Sequence, residues 1–523
     1  MIYRKFNRNI WVLIAAASLA TAGCKSSIEL NPKDSIDASI ALTSKDGINA
    51  TITSVYATLK GEVFYGNRLI GVPEALADNG RATQNTGRYV GEALNTRGSH
   101  FNQWSVAYNA LNRINLVLEA VPPVSGTGIS EADKTKWEGE LKFLRALYHF
   151  DLVRTYAYIP GAVIEAQNKG GVPLILKAIS TAEGALNAKT PRAPIAEVYA
   201  SIYADLEDAI TKLPNLGGSP AKANKQAAQA LLIRVAVYNK DWTKVVSLAN
   251  ELITSTGAKL LTASGYFAGF TSAVNPESLF EVTSATQAET LGVNLSLQTL
   301  FSTLTARSAA PDNNFTDNFV GRDPSLPLKP AAGGGDLVPT NDLLTAVGIT
   351  VINNGGRAAQ ITSRSADVRN RLFEIGGSNR TNGPNVEVTK FLGRGGAVNV
   401  DNVPVLRIAE TYLSRAEAYA EAGAQQNLTA ALADINTIRT NRGLTALTGT
   451  FTSAQLLNEV LLQRRVEFAF EGHRFFDLKR RGLDIPKPNT NSVFSFNSYL
   501  LLPSIPLADV DGSFGDIQQN FGY

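Results

Sequence analysis

One cysteine in 523 residues excludes an intramolecular disulfide, so the fold must be held by packing, hydrogen bonds and charge. Histidine is almost as scarce. His100, His149 and His473 each stand alone, with no HExxH, no Cys/His cluster and no spaced ligand set, which leaves a zinc site without support. Asp509-x-Asp511-Gly512 matches only the start of a calcium loop, and an Asx turn accounts for it. GxxxxGK[ST], GxSxG and nucleotide-binding GxGxxG units are missing. No catalytic residue, metal or cofactor is therefore expected, although carboxylate pairs for glycoside hydrolysis are not recognisable from spacing alone. The longest apolar run, Ile10 to Ala20, is shorter than the roughly 20 residues a membrane helix needs.

That run and the single cysteine belong together. Arg4, Lys5 and Arg8 precede it without an acid, Thr21-Ala22-Gly23 follows it, and Cys24 comes next. This is the layout of a secretory signal cleaved before Cys24. A cysteine there is the acceptor of a bacterial lipoprotein anchor: its thiol takes a diacylglycerol thioether and its freed amine a third chain. Each buried CH₂ adds about 0.8 kcal/mol of membrane affinity, so three chains hold a protein stably. Thr21 stands where such signals usually carry Leu, with Leu19 nearby; the bland alternative is an ordinary signal with a chance cysteine. Residues 1–23 hold three of the 49 basic residues and none of the 46 acids, so the chain after them is formally neutral. Neutrality argues against nucleic acid as a partner.

A chain this long exceeds one compact core. The pattern divides it into a signal (1–23), a polar tether (24–45), a helical-pair scaffold (46–257), a loop-rich insertion (258–403) and a C-terminal helical unit (404–523). In 103–120, Trp104, Tyr108, Leu111 and Val117 follow helical spacing; in 133–156, Trp137, Leu141, Leu144 and Tyr148 do the same. Pro194 opens and Leu213-Pro214 closes another helix, and Asn239-Lys240-Asp241 splits 222–253 into two. The insertion is glycine-rich: residues 331–396 hold 12 of the 43 glycines, which favours turns over helix interiors. Helices return at 404–422, 427–441 and 453–478. The expected fold is mainly α, a tetratricopeptide-like right-handed solenoid of helical pairs with a loop-rich, mixed insertion. A plain helical bundle is the alternative.

Four strings, in order, resemble the SusD/RagB family of nutrient-uptake outer-membrane lipoproteins: KFLRALYHFDLVRTY at 142–156, VPVLRIAETYLSRAEAYAEAG at 403–423, QRRVEFAFEGHRFFDLKRRG at 463–482 and LLPSIPLADVDGSFGDIQQNFGY at 501–523. CKSSIELNPKDSI is similar to the start of such a mature chain. Gln463 and Arg481 depart from the common residues without touching the apolar stripe. Physically, Leu462, Val466, Ala469 and Phe470 make that stripe, with Gly472 as a left-handed cap. Glu467, Glu471, His473, Arg474 and Asp477 invite an acid–base reading, but helical spacing predicts ion pairs, Arg464 with Glu467 and Glu471 with Arg474. Glu410, Glu417 and Glu421 are expected outside the stripe of 404–422.

The resemblance implies a binding protein without catalysis. It would capture oligosaccharide, or in some members peptide, for a SusC-like TonB-dependent transporter, anchored by lipid at the surface of the outer membrane. A helical scaffold that only assembles partners and a lipid-anchored glycoside hydrolase are the alternatives from other classes. Sugars are held by aromatic faces and by polar side chains on their hydroxyls. Trp104, Trp137 and Trp242 lie on core stripes, so the ligand residues are sought in loops: Tyr65, Asp78, Asn79, Arg81 and Tyr89 early, Tyr266 and Phe315 in the insertion. The expected site lies where the 60–100 loops meet 260–330.

Overall fold

Proline and Asx side chains punctuate the helices where the sequence places them. Helix α1 spans Lys45–Thr58 with Ser44 capping its start; α2 is Arg68–Leu76, α3 Trp104–Ala120 and α4 Glu131–Tyr156. Helix α5, Ile195–Lys212, starts directly after Pro194 and stops before Leu213. Helices α6, Lys225–Tyr238, and α7, Trp242–Ser255, are separated at Asn239-Lys240-Asp241, and Asp241 Oδ1 accepts the Lys244 N–H at 3.1 Å as an N-cap. The structure is a computed structural model; it describes residues 42–523 except 84–85, 99, 126–127, 256, 307–327, 332, 357–358, 378–384, 395–396 and 489. Cys24 and Phe315 lie outside the described residues.

Successive helices stack on their neighbours: α1 on α3, α3 on α4, α4 on α5, α5 on α6 and α6 on α7. The stack continues with α8, Ile408–Ala420, against α7, and with α9, Leu428–Asn441, and α10, Ser453–Glu467, against α8. The helical array therefore runs on across the long excursion between Ser255 and Val403. Strand Ser278–Val282 pairs antiparallel with Val403–Arg407 and closes the base of that excursion. Inside it short helices such as Tyr266–Thr271 and Asn341–Ala346 alternate with short two-stranded antiparallel ladders, among them Ile349–Ile352 with Gln360–Arg364 and Phe373–Gly376 with Asn385–Val388. This is the mainly α architecture with a mixed, loop-rich segment. Trp104 and Trp137 are buried and Trp242 packs partly buried on the main core, as their helical spacing requires.

Two helix assignments change. Residues 403–407 form a strand rather than the start of a helix; β-branched Val403 and Val405 suit a pleated surface, and Pro404 supplies no helical N–H. The helix predicted over 453–478 breaks after Glu467, and α11 resumes at Arg474–Arg480. Between them Phe470 and Gly472 both take positive φ, 60° and 80°. A Cβ on Gly472 would lie 2.2 Å from the Leu69 carbonyl oxygen, so only glycine lets this turn approach the first turn of α2. Leu462, assigned to the stripe, is 40% exposed, whereas Val466, Ala469 and Phe470 are buried.

The ion pairs also differ from the local ones that helix spacing suggests. Glu467 accepts from Arg442 Nε and Nη2 at 2.9 Å and from Arg407 Nη1 at 3.0 Å. Arg407 also reaches Glu277 at 2.5 Å and Glu471 at 2.8 Å, and Lys390 Nζ donates to Glu471 at 2.7 Å. Arg464 pairs instead with Asp477 at 3.0 Å, and Arg474 with Asp78 at 2.7 Å. Glu410 and Glu417, expected outside, are buried against Arg234 and Arg480 at 2.6 Å each. Burial alone would favour the neutral acid, but Arg442 and Arg407 outweigh it and hold the Glu467 carboxyl far below the ordinary range. These residues tie array, excursion and C-terminal string into one charged core. Satisfied this way, they have no free carboxyl for acid–base work.

Candidate functional site

The early polar loop begins where α2 ends. Helix termini leave carbonyls without intrahelical donors, and the negative end of the helix dipole gathers there. Lys487 fills this place: its Nζ donates to the carbonyls of Ala75, Leu76 and Ala77 at 3.3, 2.7 and 3.3 Å. Lys487 sits on strand Ile485–Lys487, which pairs with Ser492–Phe494 in the C-terminal tail. Burial pulls its ammonium down to about 7, against the charge of Asp78, while three carbonyl acceptors call for the three N–H donors of the ammonium.

The following residues divide by role. Asp78 accepts Arg474 Nε and Nη2 at 2.7 and 2.8 Å, a bidentate pair, with Arg465 at 3.3 Å. Burial opposes its charge, but Arg474 and Arg465 hold its carboxyl below the ordinary value. Asn79 donates to Glu74 Oε2 and accepts from Arg465 Nε, both at 2.9 Å. Both side chains are buried and clamp the loop to the C-terminal string, so they are not positioned as ligand groups. Burial also pushes the Glu74 carboxyl up to about 7, despite bonds from Asn79 and the Gly472 N–H. Arg81 differs. Its strand, Gly80–Ala82, pairs with Leu337–Pro339 of the excursion, and its Nη2 donates to Asn385 Oδ1 at 2.6 Å.

Between these elements lies a cavity of about 540 Å³, open to solvent. Arg81, Thr83, Asn341, Asn354, Lys487 and Thr490 supply its polar wall, and Val90 and Leu94 its apolar edge. Hydroxyl, amide and guanidinium groups beside an apolar edge suit a polyhydroxylated ligand. Lys487, Thr490, Asn341 and Asn354 were not anticipated. Asn354 does lie in the Asn353-Asn354-Gly355-Gly356 turn, which the glycine density marks without revealing what faces it.

The expected aromatic platforms are elsewhere. Tyr65 is buried, and its hydroxyl donates to Asp151 Oδ2 at 2.8 Å. Tyr266 is fully buried beneath the Arg442 guanidinium, 4.3 Å from its ring centre, and donates to Glu467 Oε1 at 3.2 Å. Neither ring is available for stacking: each is held inside by a buried carboxylate partner. Tyr89 is also buried, donates to Asn67 Oδ1, and edges a second cavity of about 290 Å³ with Arg68, Arg88, Glu92 and Leu295. That smaller cavity lies between the 60–100 loops and Leu295 of the 260–330 segment. The larger one pairs the same loops with residues 340–355 and 487–490 instead. Among the described residues no group of three His, Cys, Asp or Glu could hold a metal ion.

Comparison with known proteins agrees with this architecture. The family model described as "SusD family" matches residues 375–523, and the one described as "Starch-binding associating with outer membrane" matches 29–237. The chain is 25% identical over 522 residues to SusD-like protein P2 of Formosa agariphila, covering 93% of this chain and 94% of that protein. A SusD superfamily protein from Bacteroides vulgatus superposes with a TM-score of 0.72 at 23% identity, covering 91% of this chain and 98% of that one. A laminarin-binding SusD-like protein does so with a TM-score of 0.67 at 20% identity, covering 92% and 100%. With both ends of the sequence matched and the same fold between them, the chain belongs to the SusD/RagB family of carbohydrate-binding proteins associated with the outer membrane.

Proposed function

We propose that this chain is a lipoprotein anchored through Cys24 at the outer surface of the outer membrane. There it captures oligosaccharide in the cavity of about 540 Å³ and passes it to a SusC-like TonB-dependent transporter without chemical turnover. The observation that carries this reading is that cavity, built by two loops and the C-terminal hairpin in a chain of a carbohydrate-binding family. The rigid helical array positions the loops, and the loops carry recognition. The laminarin-binding relative supports a glycan as ligand. Binding without turnover is supported by the state of the charged core, where Glu467, Glu471 and Asp477 are buried and neutralised by arginine or lysine.

The anchor has a direct test. Cys24→Ser abolishes acylation, so the protein leaves the outer-membrane fraction while its melting temperature stays unchanged. Cells carrying it lose surface binding of labelled oligosaccharide, and the transporter no longer co-purifies from membranes. Retention of the Cys24→Ser protein in membranes at the wild-type level contradicts the lipoprotein reading. Release of unmodified oligosaccharide from the bound complex is expected; cleaved products would favour a hydrolase.

A further inference from the structure

Charge around the cavity is unevenly settled. Nearby carboxylates have cations of their own: Asp78 holds Arg474 and Arg465, Asp342 pairs with Arg465 at 2.7 Å, and Asp336 with Arg88 at 3.0 Å. In the smaller cavity Arg68 is matched by Glu92 at 2.6 Å. The large cavity has no such balance. Arg81 and Lys487 both line it, and no carboxylate is among its described lining residues. Arg81 makes one hydrogen bond, to the neutral amide of Asn385, which leaves further N–H donors of its fork without a partner among the described residues. Lys487 spends its donors on backbone carbonyls and makes no direct ion pair among the described residues, although Asp78 acts on its charge from further off. Gly355 lies beside this pair at φ 82°: a Cβ built there would lie 3.2 Å from Asn385 Oδ1 and in ordinary contact, 3.7 Å, with Arg81 Nη2.

We infer that the ligand of this cavity is an acidic oligosaccharide whose anionic substituent, a carboxylate or a sulfate ester, is received by the free edge of the Arg81 guanidinium in the field of Lys487. The inference rests on the carbohydrate-binding reading above and names the chemical class within it. A planar guanidinium presents paired N–H donors to two oxygens of one anion, which a lysine does not match. A half-enclosed site screens such a contact less than open solvent does. Hydroxyls and amides of Thr83, Thr490, Asn341 and Asn354 are then placed for the sugar ring.

Titration calorimetry of the Cys24→Ser chain with three probes of similar length tests this: a neutral β-glucan oligosaccharide, an oligouronate and a sulfated oligosaccharide. At least one anionic probe is expected to bind tenfold or more tighter than the neutral one, and whichever wins identifies carboxylate or sulfate as the substituent. That preference should shrink several-fold as NaCl rises from low to high concentration. Arg81→Gln should remove it with an unchanged melting temperature, and Arg81→Lys should restore only part. If Arg81→Gln fails to fold, the salt series on the unsubstituted cavity decides, and a salt-independent preference overturns the inference. Neutral glycan bound as tightly as both anionic probes overturns the inference and leaves the carbohydrate reading standing. No binding of any probe overturns both, and an anionic preference that survives Arg81→Gln overturns the placement at Arg81.

Discussion

Glu467→Ala lowers the unfolding free energy by about 3–5 kcal/mol, the range found when one partner of a buried ion pair is removed. The reason is what the substitution leaves behind. Arg442 and Arg407 both donate to Glu467 and have almost no exposure to water, so the truncated cluster holds excess positive charge that solvent does not reach. The Tyr266 hydroxyl loses its acceptor as well. Replacement of the whole cluster by apolar groups would not carry this penalty; removal of one member does. The pH dependence has a defined sign. Because Glu467 is held below its ordinary value of 4.5, its contribution is fully present above that pH and is lost as the pH falls towards the folded-state value. Denaturant titrations of the wild type and Glu467→Ala at pH 7 and at progressively lower pH measure both effects. Their difference should narrow on acidification; a loss below about 1 kcal/mol at pH 7, in the range of exposed pairs, would contradict the buried-network account.

Phe470→Ala has an effect of similar size for a different cause. The ring is fully buried and meets Phe301 edge-on, with centroids 5.1 Å apart and planes at 80°. Its deletion removes transfer free energy and leaves a cavity, together about 3–5 kcal/mol for a buried phenylalanine. Phe470 also sits at φ 60°, so the backbone strain of the turn remains after the contacts that hold it are gone. The loss should appear in the midpoint of chemical denaturation. Ligand affinity measured well below the transition should stay close to wild type, because Phe470 packs on Phe301 and does not line the cavity. A wild-type midpoint would place the ring outside the core.

How much of this is legible in the sequence depends on the range of the interaction. The bounds of α5, and the split between α6 and α7, follow from Pro194, Pro214 and Asp241, whose effects act within a turn. The partners of Glu467 do not: Arg407 is 60 residues away, and Arg407 also holds Glu277 from 130 residues away. Local i,i+3 spacing offers nearer partners, Arg464 for Glu467 and Arg474 for Glu471, which the fold commits to Asp477 and Asp78 instead. The loop aromatics mislead for the same reason. Tyr65 and Tyr266 look like exposed rings in polar surroundings, but their hydroxyls meet Asp151 and Glu467, 86 and 201 residues distant, and that satisfies their burial. Of the described candidate ligand residues, Arg81 alone lines the large cavity, and what marks it is that no carboxylate among the described residues pairs with it, a feature visible only in three dimensions.

The most direct test of carbohydrate capture in this cavity is a crystal structure of the Cys24→Ser chain soaked with the tightest-binding oligosaccharide of the three probes. The account predicts sugar in the space between Arg81, Asn341, Asn354 and Thr490, with its anionic group on Arg81 and the helical array unchanged. Sugar bound instead on the α8–α9 face, with the cavity left to solvent, would contradict it.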